Sequence, residues 1–374
     1  MIEDLIQFYS PRDVIIEKSV DCYQYDSNNK KYIDFEAGVW CVNVGHNNPR
    51  ILKVIENQVR NNIHHGYMFR NRFSEELAQK LHEKFGFKNA QSVFLSSGSE
   101  SVNLAATISR HITGREKILK IDNSFLSAYG YGQVSPDNSF KVDIKYNDID
   151  AISEIDFNEI AGFILETGGA SIEVVKFPDK EFVQKLITEA RKNGAIIIVD
   201  EVTTGFGRTG KWFGFMHYDI KPDIIVTAKG LGNGYPISCV SINSNVVESL
   251  RDKPLRYLQS HINDPLGCAV GLEVINIIDE ENLIEVCRAT GDYFKNKLER
   301  LKNKHPGKIK EVRCRGLLLG LEFSKQINGS LIYNELFEKG FIVGFKLNVI
   351  RLLPPLTIKT NDIDELIKAI DEIL

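Results

Sequence analysis

The chain has 374 residues, of which 43% are hydrophobic and 26% are charged, and its formal net charge is −4 at pH 7. This length and composition predict an ordinary globular protein with roughly two or three domains. The small net charge, without long runs of like charge, gives no field that would attract nucleic acid or an anionic membrane surface. We therefore expect no nucleic acid and no membrane as partner, and the composition favours small-molecule chemistry.

The six cysteines are far apart in the sequence, and none of them forms a CxxC pair. That distribution is typical of reduced thiols, and no His/Cys group has the spacing of a metal site. The amino-terminal segment MIEDLIQFYS lacks the basic start and the apolar core of a secretory signal. No apolar run approaches the roughly 20 residues that a transmembrane helix needs. We therefore expect a cytoplasmic protein without a bound metal.

The first two regions of the chain differ in their apolar pattern. Residues 14–35 contain short strand-like pieces separated by a polar turn, which predicts a small antiparallel sheet. From about Ser92 onward, apolar strands alternate with helical stretches such as residues 100–111 and 180–193. This alternation predicts a largely parallel sheet with helices on both faces.

The third region begins near Asp264 with a long amphipathic pattern, followed by a strand pair around residues 312–323 and a final helix at residues 362–374. This order of elements predicts a second, smaller α+β domain. The expected division of the chain has three parts. They are residues 1–36 contributing to the small domain, residues 37–258 forming the large domain, and residues 259–374 supplying a linking helix and the rest of the small domain.

Two charged residues follow neighbouring strands of the predicted parallel sheet. The strand AIIIV ends at Asp200-Glu201, and the strand DIIVTA ends at Lys229. Ligands bind outside the carboxyl ends of parallel strands, so a carboxylate and an amine are expected at one rim. Taken alone, the two residues would be explained more simply as a structural ion pair. Lys229, however, is followed by the glycine-rich GLGNGYP, and a desolvated lysine there would be a neutral nucleophile toward an aldehyde.

A serine-rich turn and a glycine-rich segment could both bind phosphate. The strand SVFL runs into Ser96-Ser97-Gly98-Ser99-Glu100 and a predicted helix, an arrangement that binds phosphate but is equally typical of a plain helix cap. The segment GFGRTGK imitates a P-loop, but Trp212 stands where a P-loop needs Ser or Thr. No GxGxxG follows the first strand, so neither a P-loop nor a nicotinamide enzyme is predicted.

Two long segments, IIIVDEVTTGFGRTGKWFGF and PDIIVTAKGLGNGYPISCV, resemble the motifs of the class III aminotransferases, the omega-transaminase branch of fold-type I pyridoxal-phosphate enzymes. The resemblance extends from YIDFEAGVWCVNVGHNNP to VRCRGLLLGLEF and RLLPPL. It implies an α/β fold in which helices cover the mostly parallel mixed sheet of a large domain, while both chain ends build a small α+β domain. It also implies pyridoxal 5′-phosphate as cofactor and a homodimer with active sites shared at the interface.

The resemblance assigns roles around the cofactor ring. Lys229 would carry the cofactor as a Schiff base, and Asp200 would keep the ring nitrogen protonated so that the ring accepts electrons. Val202 would pack one face of the ring and Phe125 the other. Leu126 follows Phe125 where the family usually has a histidine, so only the stacking role is carried over.

The resemblance also assigns residues around the phosphate and the phenolic oxygen of the cofactor. Ser97, Gly98 and Ser99 would hold the phosphate, and Ser260 would reach the phosphate of the neighbouring subunit's cofactor. Thr203 replaces a glutamine that commonly contacts the phenolic oxygen, so this hydrogen bond either comes from Thr203 or is lost.

Glu166 matches a family glutamate and is assigned to the cofactor site. Three positions bear on the substrate in this family. Ser171 stands where ornithine-type members have a second glutamate that pairs with the substrate arginine, so that pair is expected to be absent. Arg351 matches the arginine that binds a substrate α-carboxylate through its bidentate fork, although a surface arginine is an alternative. Trp40 resembles an aromatic wall of the substrate pocket, although a core tryptophan is nearly as good an explanation.

The expected activity is transfer of an amino group from an amine or (ω-)amino acid to a 2-keto acid, 2-oxoglutarate or pyruvate, in two half-reactions through Lys229. Two alternatives stay open. The first is an aminomutase, racemase or lyase on the same fold, and the second is an inactive cofactor-binding regulatory protein.

Overall fold

The computed structural model of the protein describes residues 5–6, 8–132, 139–169 and 174–374. The strands of these residues form three sheets. In chain order they are β1 Ile16–Val20, β2 Tyr23–Asp26, β3 Lys31–Asp34, β4 Gln91–Leu95, β5 Lys117–Ile121, β6 Lys141–Ile144, β7 Ile160–Glu166, β8 Ile196–Asp200, β9 Ile224–Thr227, β10 Ser238–Ile242, β11 Ile309–Arg315, β12 Leu318–Phe323, β13 Phe341–Ile342, β14 Gly344–Lys346 and β15 Val349–Leu352.

The helices cover these sheets, and none of those described is long and apolar enough to cross a membrane. In chain order they are α1 Ala37–Trp40, α2 Pro49–Asn61, α3 Arg72–Phe85, α4 Gly98–Thr113, α5 Lys180–Lys192, α6 Ser244–Asp252, α7 Pro265–Glu280, α8 Leu283–Lys304, α9 Gly329–Glu338 and α10 Thr360–Ile373.

The largest sheet has seven strands in the order β4-β10-β9-β8-β7-β5-β6, and only β10 runs against the others. Its central strands are buried on both faces. In β8, Ile197 and Val199 belong to one apolar cluster while Ile198 belongs to the cluster on the other side. Continuous apolar runs of this kind are typical of a parallel sheet covered by helices on both faces, so the predicted large-domain architecture is confirmed.

Two smaller sheets join the chain ends. The strands β1, β2 and β3 form the antiparallel meander predicted from the sequence, and β3 also pairs in parallel with β13 through Ile33 and Phe341. The other sheet has the order β11-β12-β15-β14 and is antiparallel throughout. The small part is therefore built from both ends of the chain, as predicted, while the exact boundaries at residues 36 and 258 stay predictions.

The long amphipathic stretch after Asp264 is not continuous. It consists of the two helices α7 and α8, and the chain turns at Asn282, which takes a left-handed φ of 52°. Asparagine tolerates this conformation because its short polar side chain can bond locally. Apolar periodicity continues across such a break, so the pattern alone did not reveal it.

The segment α1 is a single left-handed helical turn, which the sequence did not predict. All four residues of Ala37–Trp40 have φ between 47° and 66°, and the amide of Trp40 donates to the carbonyl of Glu36 at 2.6 Å. Each residue other than glycine costs roughly 1–2 kcal/mol in this conformation. The fully buried carboxylate of Asp34 holds the turn by accepting the amides of Glu36 at 2.8 Å and Gly38 at 2.9 Å. The turn places the ring of Trp40 next to Lys229, whose Nζ lies 4.3 Å from the ring centre.

Candidate functional site

A cavity of about 340 Å³ lies outside the carboxyl ends of the parallel strands. Parallel strands present all their carboxyl ends at one edge, which is where such folds bind ligands. Nine residues singled out in the sequence line this cavity: Ser97, Gly98, Ser99, Phe125, Glu166, Asp200, Val202, Thr203 and Lys229. The fold thus brings together residues that are spread over more than a hundred positions of the sequence.

The sheet register explains how the charged groups meet. Glu166 at the end of β7 is the register partner of Asp200 at the end of β8, and Asp200 is in turn opposite Val226 in β9. Lys229 follows β9 directly, in a short 3-10 turn. Three adjacent strands therefore deliver two carboxylates and one amine to the same wall.

Lys229 is held in an unusual conformation with its amine in the cavity. Its φ is 40°, in the left-handed region, and its Nζ donates to Thr203 Oγ1 at 3.2 Å. The same nitrogen lies 4.3 Å from the ring centre of Trp40. Burial is the main cause that lowers the pKa of this amine, and the positive charge of Arg351 lowers it further, against the opposing effect of nearby acidic groups. The neutral, nucleophilic form is thereby favoured.

Asp200 is a buried carboxylate, only 4% exposed, whose Oδ1 accepts the amide of Val202 at 2.9 Å. Burial raises the pKa of Asp200 to about 7. No Lys, Arg or His of the described residues forms an ion pair with it within 4.0 Å. A positively charged ring nitrogen placed at this carboxylate would restore its ionised form, so the site fits a protonated pyridine.

Glu201, the next residue, is also buried with a pKa raised to about 7 by burial, but its surroundings are different. Its oxygens accept the amides of Gly214 and Phe215, both at 2.7 Å, and the hydroxyl of Thr204 at 2.7 Å. These hydrogen bonds occupy the oxygens of Glu201 and fix the following turn, so we assign Glu201 a structural role. Asp200 is the carboxylate that remains available to a ligand.

The serine-rich turn also lines the cavity. Ser97 caps α4 by accepting the amide of Glu100 at 3.3 Å, and Ser99 Oγ accepts the amide of Ala128 at 2.9 Å. A hydroxyl that accepts a hydrogen bond keeps its own hydrogen to donate, and a helix amino terminus attracts anions. The same serine-rich motif can therefore cap α4 and bind a phosphate.

Two apolar groups could enclose a flat ring between them. Val202 and Phe125 both line the cavity, and Phe125, 51% exposed, is tied through its amide to Glu166 Oε2 at 3.2 Å. A Cβ added at Gly98 would lie 3.1 Å from both methyls of Val202. The glycine thus allows Val202 to sit close to the helix start and leaves the cavity open for a ring with a phosphate arm.

Arg351 and Trp40 are not among the residues that line the cavity, but the Trp40 ring lies next to Lys229, which does. The guanidinium carbon of Arg351 lies 4.9 Å from the centre of the same Trp40 ring that faces Lys229. Arg351 also pairs with Glu36, with 3.2 Å between Nη2 and Oε1, and each side chain is only 16% exposed. Arg351 is therefore not the surface arginine of the alternative reading.

Of the remaining predicted positions, one lies away from the cavity lining and one is outside the described residues. Ser260 is exposed and is not among the lining residues, which agrees with a position that would serve another subunit but does not test it. Ser171 lies outside the described residues.

Sequence reasoning missed several groups. Cys41, Ala228, Tyr235 and Ile237 also line the cavity, and the position of Tyr235 within GLGNGYP was the only signal for them. The segment GFGRTGK, which has the spacing of a P-loop, contains the fully buried Arg208.

Arg208 is 0% exposed, and its guanidinium donates to the carbonyls of Leu317 at 3.1 Å and Pro354, and to Asn43 Oδ1 at 2.8 Å. Burial lowers its pKa to about 10. The residue therefore joins the large sheet's loops to the carboxyl-terminal part and does not bind a phosphate.

His64, His261 and Asp264 form a group that no sequence spacing indicated. Their possible ligand atoms lie within 4.8 Å of one another. Each carboxylate oxygen of Asp264 is 2.5 Å from the Nδ1 of one of the two histidines. Both oxygens are thus already occupied by imidazole hydrogen bonds, and the group is explained as a hydrogen-bonded link between two loops.

A family model described as aminotransferase class-III matches residues 8–135 and 127–374 of the chain. The chain belongs to the class III aminotransferases. The acetylornithine aminotransferase of Aquifex aeolicus is 32% identical, with 99% of both chains covered. The LysW-aminoadipate semialdehyde/glutamate semialdehyde transaminase of Sulfolobus acidocaldarius is 31% identical over 96% of this chain and 95% of the relative.

A solved structure of the ornithine aminotransferase from Toxoplasma gondii superposes with a TM-score of 0.89 at 25% identity. It covers 99% of this chain and 91% of the relative, and it holds pyridoxal phosphate at partial occupancy in its active site. The predictions of a fold-type I aminotransferase and of pyridoxal phosphate as its cofactor are confirmed.

Proposed function

We propose that this aminotransferase moves the amino group of an ω-amino acid to a 2-keto acid, with Lys229 and Asp200 as its catalytic residues. The observation that carries the proposal is the meeting of a desolvated amine and an open buried carboxylate in one cavity, at the ends of adjacent parallel strands. The serine-rich turn at Ser97, which would bind the phosphate, lines the same cavity.

Each residue contributes a separate step. Bound pyridoxal phosphate supplies an electron-accepting ring that stabilises negative charge on the substrate carbon. Lys229 Nζ, whose pKa is lowered mainly by burial, would take the proton from the substrate carbon and return it at the reacting carbon of the cofactor. Asp200 would keep the ring nitrogen protonated. Thr203 Oγ1, which accepts from Lys229 Nζ at 3.2 Å, would hold the amine in place.

The cofactor would be held by residues that already fit its shape. Ser97 and Ser99 present hydroxyl hydrogens, and the start of α4 presents free amides, for the phosphate. Val202 and Phe125 would pack against the two faces of the cofactor ring. Gly98 leaves room for the side chain of Val202. Glu166 would orient Phe125, because it accepts the amide of that residue.

The donor is proposed to carry its carboxylate far from the reacting amine. The relatives act, by their names, on acetylornithine and on LysW-aminoadipate semialdehyde or glutamate semialdehyde, compounds whose reacting end is remote from a carboxyl group. Arg351 is the candidate for binding that carboxylate, because its guanidinium carbon lies 4.9 Å from the centre of the Trp40 ring, and Lys229 Nζ lies 4.3 Å from the same ring centre. A bidentate guanidinium suits a carboxylate, and 2-oxoglutarate or pyruvate is the proposed acceptor.

The test is a single-turnover experiment on the holoenzyme. A panel of ω-amino acids, α-amino acids and simple amines is added without acceptor, and the visible absorbance of the bound cofactor is followed. Loss of the band with an ω-amino acid and its return on adding a keto acid would support the proposal. Bleaching by no donor would contradict it, and product formed without consumption of a keto acid would indicate a mutase, racemase or lyase.

A second measurement assigns the lysine. Borohydride should fix the cofactor covalently on Lys229, and Lys229→Ala should abolish steady-state transamination. Lys192→Ala, which removes an exposed lysine with 73% side-chain exposure, is the control and should behave as the wild type. Covalent fixation on another lysine would refute the assignment.

We also propose a homodimer in which Ser260 contributes to the partner's cofactor site. Support comes from large apolar side chains exposed near this loop and in the segment after α2, namely Ile63, Tyr67, Met68, Phe69 and Leu258, each about half exposed or more. Exposed apolar patches of this kind mark interfaces. Light scattering should give twice the chain mass, and Ser260→Ala should release cofactor more readily without changing that mass; a monomeric holoenzyme would contradict the proposal.

The cytoplasm is the proposed compartment. All six cysteines are free, which agrees with a reducing environment.

A further inference from the structure

We propose that His64, His261 and Asp264 form a site for a divalent transition-metal ion such as Zn²⁺, which ties the segment after α2 to the loop before α7. This inference goes beyond the proposed function and does not depend on it. It departs from the expectation of no metal, because that expectation rested on spacing along the sequence, and His64 and Asp264 are 200 positions apart.

The three side chains are of the types that zinc binds in proteins. Two imidazoles and one carboxylate, with a further position left for water, are a known kind of ligand set for Zn²⁺. Among the described residues, these three are the group of His, Cys, Asp and Glu side chains whose possible ligand atoms converge, within 4.8 Å of one another. The centres of the two imidazole rings are also 4.8 Å apart. The ligand atoms therefore face one small volume.

The ion and the existing hydrogen bonds are alternatives at the same atoms. A neutral imidazole can carry its hydrogen on Nε2 instead of Nδ1, which frees the Nδ1 lone pair for an ion. Ligand atoms around a tetrahedral Zn²⁺ lie about 3.4 Å from one another, so the histidines, now 2.5 Å from the carboxylate oxygens, must withdraw by about 1 Å. Their side chains are 41% and 59% exposed, so this rotation is open to them and water can accept the hydrogen on Nε2.

The carboxylate of Asp264 is diverted from its usual task, which is a second observation. Asp264 occupies the N-cap of α7, and Pro265 follows at the first helical position. An aspartate at this place ordinarily accepts an amide of the first helical turn. In α7 the side chain of Asp264 makes no such hydrogen bond, and both of its oxygens are turned to the two imidazoles instead. The local sequence alone would have predicted a helix cap.

The backbone beside the ligands is anchored. The amide of Asn263 donates to the carbonyl of Phe94 at 3.0 Å, and its side-chain Oδ1 accepts the amide of Phe94 at 2.9 Å. Asn71, which caps α3 at the far end of the segment that contains His64, donates to the carbonyl of Asn263 at 2.8 Å. The two loops therefore already touch next to Asp264, and an ion would bind to a largely preorganised frame.

The site lies beside the cofactor cavity and outside its lining. His261 and Asp264 line a second cavity of about 250 Å³, and Tyr235 lines both cavities. None of the three ligands lines the cofactor cavity itself. We therefore expect the ion to stabilise the loop that carries Ser260 and His261, with less effect on turnover than on stability.

The experiment measures binding of Zn²⁺ by calorimetry. Zn²⁺ is titrated into the wild-type holoenzyme, after treatment with a chelator and dialysis, and into His64→Ala, His261→Ala and Asp264→Asn. We expect one ion per chain with micromolar affinity in the wild type and at least about tenfold weaker binding in each variant, because even a changed outer partner of a metal site costs about 10- to 100-fold. An affinity that is unchanged in all three variants would overturn the proposal.

The matched control removes a histidine from another histidine–carboxylate pair. In His305, Nε2 lies 2.6 Å from a carboxylate oxygen of Asp371, and the side chain is 15% exposed. His305→Ala breaks that pair without touching the proposed site, so its affinity for Zn²⁺ should equal that of the wild type. A loss as large as that in His261→Ala would mean that the ion binds histidines in general, and it would refute the site.

Two further readouts do not depend on the affinity alone. A saturating concentration of Zn²⁺ should raise the thermal midpoint of the wild type by about 3 °C and leave that of Asp264→Asn unchanged, since asparagine keeps the shape of the side chain but is a poor ligand. Anomalous scattering from wild-type crystals soaked in Zn²⁺ locates the ion even if a variant does not fold. A peak between the three side chains would support the proposal, whereas peaks confined to other groups, such as Cys41 in the cofactor cavity, would overturn it.

Discussion

Replacing Asp200 by asparagine should stabilise the cofactor-free protein at alkaline pH while it damages cofactor binding. The pKa of Asp200 is raised from its ordinary 3.8 to about 7 by burial. A group whose pKa is higher in the folded state stabilises the fold below its unfolded pKa, and this contribution is lost as the pH rises through the folded pKa. The wild-type apoprotein should therefore lose stability between about pH 4 and pH 7 on account of Asp200.

The size of the effect follows from the two pKa values. One pKa unit corresponds to about 1.4 kcal/mol, so the difference between 3.8 and about 7 corresponds to at most about 4 kcal/mol of unfolding free energy. Asparagine has nearly the same shape but does not titrate. The stability difference between Asp200→Asn and the wild type should therefore be under about 1 kcal/mol at pH 4 and approach about 4 kcal/mol at pH 8.5.

The assay is urea unfolding of both apoproteins at pH 4, 6 and 8.5, followed by circular dichroism. Asp219→Asn is the control, because the exposed Asp219 has a pKa lowered by its ion pair with Lys180 and its replacement should give no gain at pH 8.5. In the holoenzyme the sign should reverse, since asparagine cannot neutralise a protonated ring nitrogen and the cofactor should dissociate more readily. A difference that is equal at pH 4 and pH 8.5 would refute the reasoning.

Two further predictions concern packing. Gly98→Ala should weaken pyridoxal-phosphate binding about tenfold, because the new Cβ, 3.1 Å from the methyl carbons of Val202, would push them into the space of the ring. The measurement is titration of the apoprotein with cofactor, and an unchanged affinity would contradict the prediction. Arg208→Met should lower the unfolding free energy by about 3 kcal/mol or more, because buried acceptors such as Asn43 Oδ1 lose their donors; a thermal midpoint equal to that of the wild type would contradict this.

The sequence by itself determined the parts of the site that depend on local order. An apolar strand followed at once by Asp200, and another followed by Lys229, place both groups at the carboxyl edge of any parallel sheet. Ser97 lies three residues before Glu100, a spacing at which a helix cap forms whatever the rest of the fold does. These features are set by neighbours a few residues away, and the sequence therefore contained them.

Only the tertiary structure decided the features that depend on distant partners. Glu36 meets Arg351 because β3 and β15 are brought together by pairings between the chain ends, and no spacing of 315 residues carries that information. The left-handed turn at Ala37–Trp40 contradicts ordinary residue preferences and exists because the buried Asp34 binds its amides. Contacts of this kind form when packing outweighs local preference, and local preference is all that a pattern of residues expresses.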